Sequence, residues 1–435
     1  MSREMKQSGV PWIGEIPKTW EIRKVKDVFV RKNEKAHQDY PVILSLARAG
    51  VKVRDVSTNE GQMAESYYDY NPVEPFDLLV NPMDLYSGAN CSMSLVSGVI
   101  SPAYVNLRAK GGACSRFYDY YFKTQYWSMA FFAHGKGISF DNRWTLGVDT
   151  LFRYNVPFPS VLEQQKIASF LDKKCSEIDE MIALQEKIVE ELKAYKQSVI
   201  TEAVTKGLNP DVPMKDSGIE WIGEIPDDWG VMKFHRICSV ITDFVASGSF
   251  ESLRVNVPYL DSPDYAMLVR TVDLSCKGRS SEKVYISKHS YDFLRNSNLF
   301  GGEVVLPNIG ASVGDVYIVP TLYERMSLAP NSIMFKTNFN DKFFYYYFYS
   351  LVGKQSIYNI AQSTAQPKFN KTELRELRVC CPPLTIQDKI VNYLDNKCTE
   401  IDNLISIKLS KIDSLKEYKK SIIYEYVTGK KEVKE

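Results

Sequence analysis

The sequence predicts a mixed α/β (α+β) protein: two mixed domains separated by two long antiparallel coiled-coil helices, in a pseudo-two-fold internal duplication. Three observations lead to this prediction. Two blocks of sequence occur twice, long segments without proline or glycine follow the later block each time, and short β-rich runs fill the two intervals between blocks. A length of 435 residues allows two to four compact domains.

Composition narrows the class of protein. The chain is 44% hydrophobic and 25% charged, and 54 Lys and Arg against 53 Asp and Glu leave a net charge of +1. This balance excludes a polycation or an acidic disordered chain, but cations clustered on one face still allow nucleic-acid binding. Eight cysteines without a C-x-x-C pair and only 4 histidines argue against a zinc ribbon or a disulfide framework. We find no signal peptide and no membrane span, and expect a cytoplasmic protein.

The repeated blocks define the domain organisation. Residues 8–20 (SGVPWIGEIPKTW) return at 217–229 (SGIEWIGEIPDDW), and residues 159–175 (PSVLEQQKIASFLDKKC) return at 382–398 (PPLTIQDKIVNYLDNKC). The intervals between the blocks share little sequence, which indicates a common scaffold carrying two different ligand specificities. The predicted divisions are a repeated N-terminal segment (1–20), a first variable domain (21–158), a central long helix (159–207), a second repeated segment (208–229), a second variable domain (230–381) and a C-terminal long helix with its tail (382–435).

The two long segments are predicted to be helices over about 162–205 and 385–428, each closed by a glycine, Gly207 or Gly429. Apolar residues at a seven-residue spacing favour a left-handed coiled coil. The predicted seam consists of Leu171, Ile178, Gln185, Leu192 and Val199 in the first helix and Leu394, Ile401, Lys408, Leu415 and Ile422 in the second. An antiparallel pair that opposes Gln185 and Lys408 also pairs Leu171 with Ile422.

Two further sets of helix residues extend this prediction. A second row is expected at Met181, Ile188 and Tyr195, mirrored by Leu404, Lys411 and Tyr418. Apolar residues off the seam, Leu184, Val189, Ile407 and Ile412, indicate a docking surface for other subunits. The alternative is that each helix packs only on its own neighbouring domain.

The variable domains contain β-rich runs bounded by Gly, Pro and Asn, followed in each by an aromatic helix candidate at 117–132 and 341–356. The β-rich runs lie at residues 40–46, 265–274, 303–307 and 316–320. The chain lacks a phosphate-binding loop of the G-x-x-x-x-G-K-[ST] type and an H-E-x-x-H zinc motif. The glycine pair in GASVG at residues 310–314 is interpreted as a turn. We therefore predict no catalytic residue, no metal ligand and no cofactor in this chain.

Loops of the variable domains carry cations and amides of the kind that contact DNA. Arg pairs with guanine and Asn or Gln with adenine in the major groove, and Lys suits phosphates. The DNA-binding candidates are Arg48, Lys52, Arg54, Lys136, Asn142 and Arg143 in the first domain, and Arg270, Lys277, Arg279, Lys283, Gln362, Gln366 and Lys368 in the second. For each of them a solvated surface charge is the competing interpretation. For Asn142, Arg143 and Gln366 a structural turn also competes.

With the repeats in place, the chain resembles the specificity subunit of type I restriction–modification systems. The resemblance rests on WIGEIP-x-x-W, P-x-x-x-x-Q-x-K-I-x-x-x-L-D and I-D-x-x-I, each present twice around two divergent inserts. One position departs from the pattern, because Glu163-Gln164 of the first copy is Ile386-Gln387 in the second.

The resemblance implies a non-catalytic DNA-recognition subunit. Each insert would be a target recognition domain that reads one half of a bipartite asymmetric DNA site, and the helices would set a fixed gap between the halves. Its partners would be double-stranded DNA, two methyltransferase (modification) subunits and restriction/motor subunits. S-adenosylmethionine, ATP and Mg would then be bound by those partner subunits.

Two alternatives stay open. The first is a recognition subunit of a related restriction system that is not type I. The second is a coiled-coil assembly scaffold whose inserts bind proteins; sequence-selective DNA retention would distinguish it from a specificity subunit.

Overall fold

A computed structural model describes residues 3–39, 41–47, 50–55, 64–83, 85–86, 90–138, 144–276, 279–280, 282–361 and 366–433. The chain divides into two compact units. Unit 1 takes Met1–Glu186 and Leu409–Glu435, and unit 2 takes Lys187–Lys408. The division falls inside both long helices, so each unit contains the first part of one helix and the last part of the other. No helix within the described ranges has the length and apolar character that a membrane crossing requires.

Unit 1 is built on an antiparallel four-stranded sheet with the order β4-β11-β8-β9. Two-stranded pairs β1-β2, β3-β12, β5-β6 and β7-β10 surround it. The strands are β1 (Met5–Gln7), β2 (Glu15–Pro17), β3 (Glu21–Lys24), β4 (Phe29–Lys32), β5 (Leu44–Ala47), β6 (Gly50–Val53), β7 (Asn71–Val73), β8 (Leu78–Val80), β9 (Cys91–Met93), β10 (Gly98–Ile100), β11 (Val105–Ala109) and β12 (Asn155–Phe158). The helices are α1 (Val25–Val28), α2 (Ser115–Trp127), α3 (Ala130–Ala133), α4 (Val148–Arg153) and the long α5 (Val161–Lys206).

Unit 2 repeats this plan. Its sheet β16-β23-β20-β21 has the connectivity of the unit 1 sheet, and β13-β14 and β15-β24 correspond to β1-β2 and β3-β12. The strands are β13 (Met214–Asp216), β14 (Glu224–Pro226), β15 (Gly230–Lys233), β16 (Cys238–Asp243), β17 (Ala266–Val269), β18 (Tyr285–Ile286), β19 (Asn298–Leu299), β20 (Val304–Pro307), β21 (Tyr317–Ile318), β22 (Met326–Leu328), β23 (Ser332–Thr337) and β24 (Arg378–Cys381). A second sheet, β18-β17-β22-β19, contains the parallel pair β17-β22.

The helices of unit 2 are α6 (Phe234–Ile237), α7 (Phe250–Asn256), α8 (Thr271–Ser275), α9 (Lys288–Phe293), α10 (Asp341–Tyr349), α11 (Leu351–Ile360), α12 (Lys371–Glu376) and the long α13 (Leu384–Val427), with 3₁₀ turns at Phe244–Ser247 and Arg295–Ser297. Both aromatic helix candidates form, but each is interrupted. The first breaks before α3, where Met129 takes a left-handed φ of 60°, and the second breaks at Ser350, which caps α11. The run 265–274 begins as β17 and ends in α8.

The two long helices form as predicted, within one residue at each end. Each stops at its glycine, with a left-handed φ of 78° at Gly207 and 73° at Gly429, a conformation that costs little only without a Cβ. A Cβ at Gly429 would also collide with the Pro17 ring. The glycines therefore end the helices and let the repeated N-terminal blocks pack close by.

The helices pair antiparallel within each unit. In unit 1, Lys419 Nζ lies 2.7 Å from Asp179 Oδ1, and the rings of Phe170 and Tyr426 are 4.5 Å apart. In unit 2, Lys196 lies 2.7 Å from Asp402. Lys196 and Lys419 occupy equivalent places in the repeat, as do Asp179 and Asp402. The same contact is therefore made twice, with the roles of the two helices exchanged.

Seven of the ten predicted seam residues are buried. Leu171, Ile178, Gln185, Val199, Leu394, Ile401 and Ile422 are buried, and Leu192, Lys408 and Leu415 are half-buried. The predicted second row is wrong, because all its members are exposed except the half-buried Ile188. The row four residues after the seam is buried or half-buried instead, and its buried members include Cys175, Val189, Cys398 and Ile412. The prediction that Val189 and Ile412 belong to an exposed docking surface is therefore wrong. On a 3.6-residue helix a step of four turns roughly 40° from the seam, whereas a step of three turns roughly 60°.

The motif glutamine joins each long helix to its variable domain. Gln164 Oε1 accepts a hydrogen bond from Cys114 N (2.9 Å), and its Nε2 donates to Pro159 O (2.9 Å). Gln387 does the same with Asn340 N (3.1 Å) and Pro382 O (2.8 Å). Both glutamines are fully buried. The second helix start is thus equivalent to the first although Ile386 replaces the glutamate before it.

Candidate nucleic-acid interface

In unit 2, two loops far apart in sequence meet at one edge of the main sheet. Pro307 ends β20, as a proline without an amide proton does at the end of a ladder. The chain beyond it pairs with the segment before α12: Phe369 N donates to Asn308 O (3.0 Å), and Gly310 N donates to Pro367 O (2.9 Å). We call residues 308–313 and 366–369 the loop edge of unit 2.

Unit 1 builds the same edge from different residues. Leu146 N donates to Pro82 O (2.8 Å), and Leu85 N donates to Trp144 O (3.1 Å), so the loop after β8 pairs with the segment before α4. We call residues 81–83, 85–86 and 144–146 the loop edge of unit 1. The repeat has kept the backbone arrangement and changed the side chains, which is what two related surfaces with different ligands require.

Three DNA-binding candidates of unit 2 lie at or beside its loop edge. Gln366 and Lys368 are exposed, and Lys368 forms a backbone bridge with Ile309. Arg270 lines an open groove of about 400 Å³ together with Ile309 and Asn331. The tertiary structure therefore brings together cations and an amide that are about 100 residues apart in the chain.

Arg270 is held by an acidic partner. Its Nε donates to Asp273 Oδ2 (3.1 Å), and its guanidinium also donates to the Glu282 carbonyl. Asp273 is fully buried; burial favours its neutral form, but hydrogen bonds from Arg270 and Ser280 outweigh this and lower the pKa of Asp273. The pair fixes the direction of the Arg270 side chain, which stays partly exposed at the groove.

The other candidates of unit 2 lie away from this edge in sequence. Arg279 is exposed and Lys283 is half-buried. Lys277 and Gln362 lie outside the described residues.

In unit 1, Lys136 is the candidate beside the loop edge. It is exposed, and its backbone exchanges two hydrogen bonds of 2.9 Å with Thr145. Lys52 is exposed on β6, and Arg54 follows that strand with its amide donating to Ile43 O (2.8 Å). Arg48, Asn142 and Arg143 lie outside the described residues, the last two directly before Trp144.

Sequence reasoning missed Ile309 and Asn331. Asn331 has a left-handed φ of 69°, and its carbonyl accepts from Asn308 N (3.1 Å), so it fixes the turn before β23 against the loop edge. The available signal was the Pro-Asn dipeptide at Pro307-Asn308 and Pro330-Asn331, because type II turns favour Pro followed by a residue such as Asn with a positive φ. Among the described residues, no three His, Cys, Asp or Glu side chains are grouped as a metal site would need.

Sequence comparison relates this chain to specificity subunits of type I restriction–modification systems. Residues 226–417 match the family described as type I restriction modification DNA specificity domain. The chain is 24% identical to the putative type I restriction enzyme MjaX specificity subunit of Methanocaldococcus jannaschii, over 97% of this chain and 96% of the relative. It is 25% identical to the MjaVIII specificity subunit of the same organism, over 82% and 81%.

Solved structures share the fold. A chain from a study of complex assembly and conformational transition of the type I R-M system matches with a TM-score of 0.68 and 13% identity, over 95% of this chain and 98% of that one. The HsdS subunit from Thermoanaerobacter tengcongensis matches with a TM-score of 0.51 and 13% identity over the same shares. The predicted fold and the sequence resemblance are both confirmed.

Proposed function

We propose that this chain is a type I restriction–modification specificity subunit, the non-catalytic DNA-recognition member of its system, and that its two units read two different half-sites of one bipartite DNA target. The observation that carries the proposal is the loop edge. Both units build it with the same backbone hydrogen bonds and line it with different side chains. Equivalent edges with unlike side chains suit two short, different DNA sequences.

We assign the base and phosphate contacts to the candidates at these edges. In unit 2, Gln366 and Arg270 have the donor patterns that read adenine and guanine, and Lys368 suits a phosphate. In unit 1, Lys136 takes the corresponding place, with Lys52 and Arg54 on and after the β5–β6 hairpin. Arg48, Asn142, Arg143, Lys277, Arg279, Lys283 and Gln362 remain proposed contacts.

The long helices support the proposed recruitment of two identical partners. Unit 1 exposes Met181, Leu184 and Tyr418, and unit 2 exposes their repeat equivalents Leu404, Ile407 and Tyr195. Exposed apolar and aromatic residues at equivalent positions form two similar docking faces in one chain. We propose that one methyltransferase subunit binds each face. S-adenosylmethionine would act there, and ATP and Mg on restriction/motor subunits, in a cytoplasmic complex.

The gap between half-sites is proposed to follow helix length. The sharpest test deletes one heptad from each helix, residues 182–188 and 405–411, which are equivalent in the repeat and preserve the helical phase. We expect the gap to shorten by about 10 Å, or about three base pairs, with both half-sites unchanged.

Methylation mapping of host DNA, with and without the deletion, measures both half-sites and the gap. Native mass spectrometry of the same complex should find two methyltransferase subunits per chain. An unbroken methylated motif, or an unchanged gap in the deletion variant, would contradict the proposal. A chain that retains no duplex selectively at low salt would instead favour a protein-binding scaffold.

A further inference from the structure

Unit 2 carries an aromatic groove beside a helix that the described residues of unit 1 do not repeat. It is lined by Phe250, Arg254, Tyr259 and Pro330 and has a volume of about 450 Å³. Helix α7, which provides Phe250 and Arg254, follows β16, whereas the corresponding residues 33–39 and 41–43 after β4 contain no helix. Any function of this groove therefore belongs to one half of the DNA target.

The groove is continuous with the loop edge of unit 2. Tyr259 and Pro330 line both this groove and the neighbouring groove that contains Arg270, Ile309 and Asn331. A ligand bound at the loop edge would reach the aromatic groove by extending past Tyr259 and Pro330.

The charge of the lining favours an anionic ligand. Among the described residues, the two connected grooves are lined by two arginines, Arg254 and Arg270, and by no carboxylate, since the Asp273 carboxylate that pairs with Arg270 is fully buried. Three other grooves of unit 2 each include an acidic residue: Asp395, Asp228 or Glu202. Arg254 is exposed and has no ion pair with any described residue. A ligand with both apolar surface and phosphates fits this lining, and DNA has both.

Phe250 is the most prominent residue of the groove. It is 80% exposed at the first position of α7, next to the capping residue Ser249. Removing an exposed apolar side chain of this size from water is favourable, and at this position a bound ligand would do so. In the major groove the thymine methyl is the apolar group that side chains such as Phe contact.

We propose that Phe250 and Tyr259 contact thymine methyl groups at or beside the half-site read by unit 2, with Arg254 on a neighbouring phosphate. This inference rests on the proposed function and adds that the two half-sites are read by different kinds of contact. One half of the target is read partly through apolar contact with thymine, and the other half is not.

The test measures binding of the full-length chain to a duplex whose half-sites come from methylation mapping. In one duplex, the thymines of one half-site and of its three flanking base pairs are replaced by deoxyuridine, which removes only the methyl group. In a second duplex, the thymines of the other half-site are replaced in the same way. For the unaltered chain, affinity should fall about fourfold for each contacted methyl, in one half only. Phe250→Ala should weaken binding about tenfold and reduce the response to deoxyuridine by the roughly fourfold share of the methyl that Phe250 contacts, leaving the share of Tyr259.

Phe300→Ala is the matched control, because Phe300 is 71% exposed in the same unit but lines neither groove. Its binding should stay within about twofold of the unaltered chain and keep the deoxyuridine response. Equal affinity for thymine and deoxyuridine duplexes, while specific binding persists, overturns this inference alone. Phe250→Ala that loses methyltransferase subunits but keeps DNA affinity also overturns it, in favour of a protein partner. If the unaltered chain does not prefer the mapped duplex over other duplexes, the proposed function is contradicted as well.

Discussion

The two units use chemically different side chains where the repeated N-terminal block packs against the first turn of a long helix. In unit 1, Arg3 forms an ion pair with Glu163 and stacks over the Trp20 ring at 5.3 Å, and Trp20 Nε1 donates to Glu163 Oε2 (2.9 Å). In unit 2 the repeat places Val212, Trp229 and Ile386 at these positions, and all three line one groove. A charged pair around a tryptophan has been replaced by an apolar pair around a tryptophan.

The duplicated scaffold therefore requires two side chains that pack around the tryptophan at the start of each long helix, but these side chains can be a charged pair or an apolar pair. Changing Glu163 alone would leave the guanidinium of Arg3, which is only 18% exposed, without its partner. Changing both residues avoids that cost, because apolar pairs of suitable shape replace ion pairs with little loss. The two copies therefore differ at both positions together.

The largest expected effect tests whether each tryptophan stabilises its own unit. Trp20→Ala and Trp229→Ala remove side chains that are almost fully buried, and each should cost about 3–5 kcal/mol. Hydrogen exchange, read in peptides of each unit, should increase in unit 1 for the first variant and in unit 2 for the second. Trp127→Ala, at an exposed end of α2, is the control and should change little. Equal increases in both units would show that the units do not open independently.

The second largest effect is expected when the charged pair of unit 1 and the apolar pair of unit 2 are exchanged by substitution. Glu163→Ile should destabilise unit 1 by about 1–2 kcal/mol, and adding Arg3→Val should restore most of the loss. In unit 2, Ile386→Glu should cost a similar amount and be rescued by Val212→Arg. Denaturant unfolding followed by unit-resolved hydrogen exchange measures all four variants. If the double variants are no more stable than the single ones, the paired interpretation is wrong.

The smallest effect concerns the contact that the two units share. Asp179→Asn in unit 1 and Asp402→Asn in unit 2 each remove one ion pair between the long helices, at partly exposed positions. Each should cost about 0.2–1 kcal/mol, and the loss should shrink at 1 M salt. Thermal unfolding at low and high salt tests this. A much larger loss of stability for one variant would mean that the two equivalent ion pairs contribute differently to the free energy of unfolding.

Much of the fold was predictable from the sequence because its signals are local or repeated. Helix bounds follow from runs without proline or glycine that end at Gly207 and Gly429. The antiparallel pairing follows from the seven-residue spacing of apolar residues in both helices, whereas the opposition of Gln185 and Lys408 stays a prediction. The second row failed because spacing alone did not decide between positions three and four residues from the seam.

The candidate site was predictable in composition but not in arrangement. Sequence reasoning selected Arg270, Gln366 and Lys368 by residue type, yet their convergence depends on backbone hydrogen bonds between β20 and a segment about 60 residues later. It found neither Asn331 nor the exposed Phe250, because a side chain's exposure depends on what the rest of the chain packs against.

The sequence by itself determined the duplication, the two long helices and their antiparallel pairing, since these depend on residue spacing within each segment and on the similarity between two segments. Only the tertiary structure decided which side chains share a surface, how Arg270 is oriented by Asp273, and that Arg3 meets Glu163, 160 positions away. The physical reason is that such contacts depend on the packing of whole elements, and neither residue carries a local signal of the other.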